Sequence, residues 1–402
     1  MGVTRNLCAG AAFLVAVSSN VAVAAGPDDE ATPVVLLEVA YVGDLWRNTR
    51  GGIEVGDAYL DNLDLMATVD GGRRFGIEGL TLHAHAMHNN GQEFSGRRVG
   101  DAQGVSNIEG VDTWRMFELW GEFRFGAAGG NSLRAGLYDL NSEFDSIESA
   151  GLFLNSSHGI APDLSQTGQN GPSIFPVTSF GVRLKGGAQA WYWQLAALDA
   201  VPGDPDHPDR TALRFGGGEG ALLVFEAGRA IGPFRKLALG AWTYTADFEA
   251  IGESDAAGQA VADSGNRGVY AIAEASLVER DSLNVGGWLR AGFADGRFND
   301  FSRYVGAGLS AAGLVPGRPD DQLGLAIGSV QSGSPWREAQ ALSGTPADAR
   351  ETTVELTWRM PVNDWLTLQP DLQYVINPGL SPGLDDAVVV GLRFELGTSW
   401  AR

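Results

Sequence analysis

The chain of 402 residues has little cysteine, few basic residues and no long apolar run beyond its first residues. Its single cysteine, Cys8, lies in an apolar leader, so a disulfide framework, a zinc knuckle and a cysteine nucleophile are excluded from the rest of the chain. No later segment offers the run of about 20 apolar residues that a membrane helix requires. There are 28 basic against 49 acidic residues, and the net charge of −21 argues against nucleic acid as a partner.

The first residues have the pattern of a secretory signal peptide. Arg5 supplies a basic start, an apolar stretch follows, and Ala22-Val23-Ala24 offers a cleavage site of small residues. We therefore expect residues 1–25 to be a signal peptide and residues 26–402 to form one domain.

The remainder of the chain has 56 Gly, 11 Trp, 18 Phe and 8 Tyr, a composition that favours β-structure with many turns. Polar and apolar residues alternate along most of it. One example is the stretch 115–125, where Phe117, Leu119, Phe123 and Phe125 form the apolar set. A period of two predicts strands with one apolar and one polar face. We predict about sixteen strands, at 34–46, 58–70, 80–90, 115–125, 132–139, 180–186, 191–199, 220–229, 236–248, 269–278, 283–295, 303–313, 322–330, 352–360, 366–377 and 387–397.

The connections between these strands alternate in length, and this alternation distinguishes between architectures. Most odd connections are long and all even ones are short, which is typical of an outer-membrane barrel with short periplasmic turns and long outside loops. Because lipid offers no hydrogen-bond partner to an unpaired backbone N–H or C=O group, such a sheet must close on itself. We expect an all-β transmembrane antiparallel barrel with a polar, water-filled lumen. Aromatic girdles are predicted near strand ends at Trp46, Tyr59, Trp191, Trp193, Tyr244, Trp358, Tyr374 and Trp400.

Two long intervals carry the candidate functional residues. The interval 140–179 contains many apolar side chains, which would not remain in water, so we expect it to fold inward and to constrict the lumen. The interval 91–114 leads into a strand whose polar face carries Glu118, Glu122 and Arg124. Carboxylates and guanidinium groups suit sugar hydroxyls, which both donate and accept hydrogen bonds. A charge pair on a wet barrel wall explains any single one of these residues equally well.

Several stretches resemble the carbohydrate-selective porin family, the OprB-like porins. They are VGDLWRNTRGGIEVGDAYLDNLDL, VGDAQGVSNIEGVDTWRMFELW, GLYDLNSEFD, LFLNSSHGIAPDLSQTGQNGPSIFPVTSFGVRL, VPGDPDHPDR and LQPDLQYVINPG. The resemblance runs from about residue 40 to about residue 396 and is most specific at 106–109, 152–158 and 171–176.

This resemblance implies a sixteen-stranded outer-membrane barrel that passes glucose and other small sugars, with inward loops whose polar residues contact the sugar. One family motif contains Asn107, Glu109, Arg115 and Glu118, and the other contains Asn155, His158, Asp163 and Gln166. The implied partners are small sugars, outer-membrane lipid and lipopolysaccharide. A homotrimer and a monomer both stay open, and no cofactor is expected.

Three alternatives accompany this prediction. His83 and His85 lie two residues apart on a polar strand face, but a metal site would need a third convergent ligand, so we expect them to line the lumen. A general or anion-selective pore on the same barrel is a second possibility. A secreted carbohydrate-active β enzyme is a third, although no spacing singles out a pair of catalytic carboxylates. We predict a channel without catalysis.

Overall fold

A computed structural model describes residues 33–126, 130–188, 190–213, 220–280 and 282–401. Within them, sixteen antiparallel strands close into one barrel, in which the first strand pairs with the last. The predicted signal peptide, residues 1–25, lies outside the described residues. No helix in the described part is long and apolar enough to cross a membrane.

All sixteen predicted strands are present. In chain order the strands are β1 (Val35–Arg50), β2 (Gly56–Asp70), β3 (Leu80–Asn89), β4 (Thr113–Phe125), β5 (Asn131–Tyr138), β6 (Ser179–Ala188), β7 (Trp191–Asp199), β8 (Ala221–Ile231), β9 (Phe234–Tyr244), β10 (Phe248–Ser254), β11 (Ala260–Asp263), β12 (Arg267–Arg280), β13 (Leu283–Ala294), β14 (Phe301–Ala312), β15 (Gln322–Ser332), β16 (Arg350–Asn363), β17 (Leu366–Ile376) and β18 (Ala387–Ala401). Short helices are α1 (Gly71–Phe75), α2 (Ser156–Gly159), α3 (Pro162–Ser165) and α4 (Ser334–Leu342).

The connections differ strongly between the two ends of the barrel. One end carries the connections 51–55, 90–112, 139–178, 200–220, 245–266, 295–300, 333–349 and 377–386. The other end carries 71–79, 126–130, 189–190, 232–233, 281–282, 313–321 and 364–365, together with the start of β1 and the end of β18. The predicted alternation of long and short connections is therefore present.

The outer face of the barrel is apolar and the inner face is polar, as the alternation predicts. Large apolar side chains exposed on this outer face include Leu239, Val269, Leu289, Val305, Leu309, Leu325, Leu356 and Leu372. A soluble protein rarely exposes such a continuous apolar surface, whereas a membrane barrel presents it to lipid. Inward positions between them are buried and polar, as in β17, where Gln369, Asp371 and Gln373 are buried.

Three aromatic residues lie on the opposite face from the one predicted. Phe117 is 2% exposed and contacts His85 and Phe175, because the pairing of β3 with β4 shifts between His85 and Ala86 and this irregularity turns Phe117 inward. Trp46 shares the inward phase of Asp44 and stacks on a loop phenylalanine.

Tyr244 is also buried rather than part of an outer girdle. Its hydroxyl lies 3.1 Å from Thr167 Oγ1 in a loop that enters the barrel. Trp191, Tyr374 and Trp400 are exposed, as a girdle requires. Strand-end position alone therefore does not separate girdle residues from residues that hold a loop.

Two outer connections contain structure that alternation did not predict. β10 and β11 form a separate hairpin within 245–266, and α4 lies within 333–349. The α4 helix lies in a connection, and no helix of the described residues interrupts the barrel strands. β10 and β11 pair with each other outside the barrel sheet, and Ile251 N of β10 also donates to Arg297 O.

Candidate functional site

The segment 139–178, called the inward loop below, folds into the barrel as predicted. Asp145 and Asp163 both accept hydrogen bonds from Arg290, an inward residue of β13 on the barrel wall. The Arg290 Nη2 to Asp145 Oδ2 distance is 2.7 Å, and all three side chains are at most 3% exposed. This buried network fixes the middle of the inward loop against the wall.

A second loop, 90–112, enters the lumen beside the inward loop. Arg393 of β18 donates to Asp44 Oδ1 of β1 at 2.7 Å and to Asn107 Oδ1 of this loop at 2.8 Å. Ser106 Oγ donates to the same aspartate at 2.7 Å. The backbone N–H of Asn107 donates to Leu154 O, so the two loops also bind each other.

Wall carboxylates also hold the loops through backbone N–H groups. Glu351 accepts from Ala102 N at 2.8 Å, and Glu355 accepts from Leu154 N at 2.6 Å. Glu274 accepts from Ser149 N at 2.7 Å. Much of the acidic content of the lumen is therefore committed to loop docking.

A charged cavity of about 690 Å³ opens in the part of the lumen next to β4, β5, β6 and β7. Its lining includes Glu122, Arg124, Arg134, Glu143, Arg183, Lys185 and Tyr192. Arg183 bridges two carboxylates, with Nη2 2.7 Å from Glu122 and Nε 2.8 Å from Glu143. Arg134 Nη2 lies 2.8 Å from the same Glu122 oxygen.

The strand register explains why these charges meet. Glu122 of β4 is directly opposite Arg134 of β5, which in turn is opposite Arg183 of β6. Lys185 follows two residues later and so shares the inward face. The guanidinium of Arg134 also lies 3.9 Å from the centre of the Trp120 ring, which orients it by a cation–π contact.

Glu143 belongs to the inward loop and joins this wall cluster. Burial alone raises the pKa of the Glu143 carboxyl, but Arg134, Lys185 and Arg183 outweigh it and lower the pKa to about 2. The carboxylate is therefore charged at every physiological pH. Paired acceptors and donors on one surface are the groups that a polyhydroxyl ligand needs.

A second cavity of about 570 Å³ lies between the inward loop and the wall strands β13 to β18. Its charged and amide-bearing lining includes Glu148, Arg235, Arg359, Gln369, Arg393 and Glu395. The Arg359 Nη2 to Glu395 Oε2 distance is 2.9 Å. Both cavities thus combine guanidinium groups with carboxylates.

Of the ten residues singled out by sequence, Glu122 and Arg124 line the charged cavity. The four residues of the first family motif lie elsewhere. Asn107 binds Arg393, and Glu109 accepts from Phe94 N and Ser95 N at 3.1 Å.

Arg115 and Glu118 lie on the inward face of β4. Arg115 Nη2 donates to the carbonyl of Pro208 at 3.2 Å, which ties the wall to the connection 200–220. Glu118 Oε1 accepts from Trp120 Nε1 and from Asp139 N, the first residue of the inward loop.

The residues of the second motif hold the inward loop together. Asn155 Nδ2 donates to Gln373 Oε1, and Gln166 Nε2 donates to Ala102 O. Asp163 binds Arg290. His158 is fully buried between Trp288 and Phe153, and burial lowers its pKa to about 3, so its imidazole is neutral.

Sequence reasoning missed Arg134, Glu143, Arg183 and Lys185. Arg134, Arg183 and Lys185 lie on the polar face of predicted strands, which is a signal that the sequence contains. The sequence does not show the strand register that brings them to Glu122. Among the described residues, one group of side chains has the composition of a metal site: His83, His85 and Glu118.

A closed antiparallel barrel with an apolar outer face, a polar lumen and a loop folded inside defines an outer-membrane porin. The model of the carbohydrate-selective porin, OprB family matches residues 54–397, and the chain belongs to this family. Porin B of Pseudomonas aeruginosa is 24% identical, with 89% of this chain and 86% of that protein aligned.

Solved structures agree on the fold. The high-pH structure of Pseudomonas putida OprB has a TM-score of 0.80 at 20% identity, covering 90% of this chain and 94% of that one. The outer-membrane channel DcaP of Acinetobacter baumannii has a TM-score of 0.53 at 10% identity, covering 93% and 99%. The predicted family and the predicted barrel are both confirmed.

Proposed function

We propose that this carbohydrate-selective porin passes small sugars of the glucose type, as monosaccharides or short oligosaccharides, by passive diffusion past a weak binding site. The observation that carries the proposal is the charged cavity, where the carboxylates of Glu122 and Glu143 alternate with the guanidinium groups of Arg134 and Arg183. A pore must release its permeant as readily as it admits it, so weak binding suits transport.

The proposed sugar site combines hydrogen-bonding groups with an aromatic surface. Tyr192 lines the cavity, and its hydroxyl donates to Glu226 Oε1 at 2.6 Å. Arg124 and Lys185 have side chains that are 65% and 41% exposed, so their donors reach the water of the lumen. Sugar contact by the other eight residues singled out by sequence stays a prediction, because their polar groups serve loop contacts here.

The decisive measurement is the ion current through single channels in planar bilayers, titrated with a panel of mono- and disaccharides. Sugar should block the current in a saturable way, and protein-containing liposomes should swell in glucose faster than protein-free vesicles. Arg134→Gln should weaken the block by about tenfold, the loss expected for one charge-assisted hydrogen bond. Arg303→Gln, an exposed arginine of β14, is the matched control.

Three results would contradict parts of this proposal. If sugar blocks the current equally in the wild type and in Arg134→Gln, the charged cavity is not the sugar-binding site. If sugar block is unchanged in Arg115→Ala, Arg115 does not contact the sugar. Glucose entry no faster than in protein-free vesicles would refute sugar passage itself.

A general or anion-selective pore is the second candidate. It is favoured by the exposed cations Arg124 and Lys185 in the lumen. Reversal potentials under a salt gradient, with and without sugar, separate it from the first: strong anion preference without sugar block would favour the pore for anions.

We also propose export through the periplasm with removal of residues 1–25, contact of the apolar face with lipid and lipopolysaccharide, and transport without chemical change to the sugar. The mass of the purified chain tests the cleavage. Cross-linking in native membranes distinguishes a monomer from a homotrimer.

A further inference from the structure

His83 and His85 of β3 and Glu118 of β4 converge on the lumen wall. Each offers one ligand atom, and these atoms lie within 4.8 Å of one another. We propose that this triad binds a divalent transition-metal ion of the Zn²⁺ class. The sequence supplied two of the ligands, and the fold supplies the third.

The strand register and the irregularity in β4, where Phe117 has no partner in β3, bring the three side chains together. His83 and His85 are two residues apart, so they share the inward face. Glu118 is paired directly with His85, and the register shift follows immediately after this pair. Such irregularities re-aim side chains at functional positions in sheets.

Each ligand has one polar atom held by the protein, which leaves its second nitrogen or oxygen for a metal ion. His85 Nε2 is 2.8 Å from Asp64 Oδ1, whereas its Nδ1 has no hydrogen-bond partner although the side chain is 3% exposed. A nitrogen that donates to a carboxylate leaves the other nitrogen with a lone pair, which is the form a metal ligand takes.

The same division holds for the other two ligands. His83 Nδ1 lies 3.0 Å from Thr68 Oγ1, and its Nε2 lies 3.9 Å from Glu118 Oε2. Glu118 Oε1 already accepts from Trp120 Nε1 and Asp139 N, so Oε2 is the oxygen that faces the histidine. The carboxylate–histidine pair of Asp64 and His85 is the usual outer support of a zinc ligand.

Aromatic rings fix the two imidazoles in place. The Trp120 ring stacks on His83 at 4.9 Å, and the Phe117 ring meets the edge of His85 at 5.1 Å. A preorganised set of two imidazoles and one carboxylate suits Zn²⁺, with water from the lumen completing the coordination. Ca²⁺ and Mg²⁺ prefer all-oxygen sites, so neither should compete well.

The test uses tag-free, full-length protein folded in detergent, stripped with chelator and dialysed against Zn²⁺ in excess Ca²⁺. Calcium occupies the acidic surface, and the chain has only five histidines. We expect one Zn²⁺ per chain by elemental analysis. Co²⁺ should give the visible absorption of a four- or five-coordinate site with nitrogen and oxygen ligands.

Variants assign the site. His85→Ala and His83→Asn should each abolish stoichiometric binding, and Asp64→Asn should weaken affinity by roughly 10- to 100-fold through loss of the supporting carboxylate. His88→Asn changes a histidine on the same strand that lies 3.5 Å from Asp112, and it should leave binding unchanged.

Binding that Ca²⁺ displaces, or that persists in His85→Ala, would overturn the proposal. Heat-dependent mobility on gels verifies that each variant forms the barrel. If His85→Ala does not fold, His83→Asn gives the answer, because the His83 side chain is 11% exposed, against 3% for His85. Unchanged stoichiometry in that variant would equally refute the site.

Discussion

Replacing Arg290 with methionine should release the inward loop from the wall. The substitution keeps much of the side-chain volume but leaves Asp145 and Asp163 buried without their shared cation. Removing one partner of a buried ion pair typically costs about 3–5 kcal/mol. Since every 1.4 kcal/mol is a factor of ten, the docked loop should be disfavoured by roughly 10² to 10⁴.

The released loop should be visible in two measurements. Single-channel conductance should rise or fluctuate between levels, because the loop no longer holds one position in the lumen. Chymotrypsin should cleave after Phe144 or Phe153, which are buried in the docked loop. The barrel itself should survive, since its backbone pairing does not involve Arg290's side chain.

A rescue experiment separates lost pairing from lost packing. Adding Asp145→Asn and Asp163→Asn to Arg290→Met removes the uncompensated charges and should restore most of the docking. Arg303→Met on the neighbouring strand is the control for losing an arginine. Wild-type conductance and protease resistance in Arg290→Met alone would refute the view that this network anchors the loop.

Two further predictions concern the second loop and the barrel wall. Burial raises the pKa of Glu109 to about 7 from 4.5, so its docked loop should lose up to about 3 kcal/mol as pH rises through 4.5 to 7. Tryptic cleavage at the exposed Arg97, measured relative to Glu109→Gln across that range, should therefore increase with pH in the wild type; a constant ratio contradicts the assignment. Gly391→Ala would place a Cβ against the Trp46 ring, too close for the ring to keep its position, and should lower the free energy of unfolding by about 1–3 kcal/mol in urea titrations. An unchanged midpoint would mean that the ring moves freely.

The barrel strands could be predicted because the pattern that identifies each strand lies within that strand. A strand facing lipid on one side and water on the other must alternate residue by residue, and all sixteen barrel strands carry this pattern. The outer strand ends were less accurate: β1 continues to Arg50 and β2 begins at Gly56, so the first connection is shorter than predicted. The hairpin of β10 and β11 lies outside the barrel wall and was missed.

The site was less predictable because it depends on register. Glu122, Arg134 and Arg183 come from three strands, and only the pairing of those strands shows that they meet. The same dependence on register explains why Phe117 was predicted on the wrong face. A one-residue shift in pairing reverses the face on which a side chain lies, and the composition of the strand does not reveal such a shift. Asp44 and Arg393 meet because the last strand closes on the first.

The docking of loop backbone onto wall glutamates has a consequence for variation. Glu351 holds three backbone N–H groups, those of Ala102, Gln103 and Gly379, and Glu355 holds two more. A backbone N–H is offered by every residue except proline. These backbone anchors therefore place few demands on the side chains of the anchored residues themselves.

Loops attached in this way can change in sequence at the backbone-anchored positions. The side chains there can be replaced while the wall carboxylates continue to hold the main chain, whereas Asp145 and Asp163 must stay to pair with Arg290. Related barrels can thus acquire new permeants through substitutions at these positions and still fold. Loop sequences that keep the docking side chains can also be grafted onto the same wall, provided that no proline replaces a residue whose backbone N–H binds a wall glutamate.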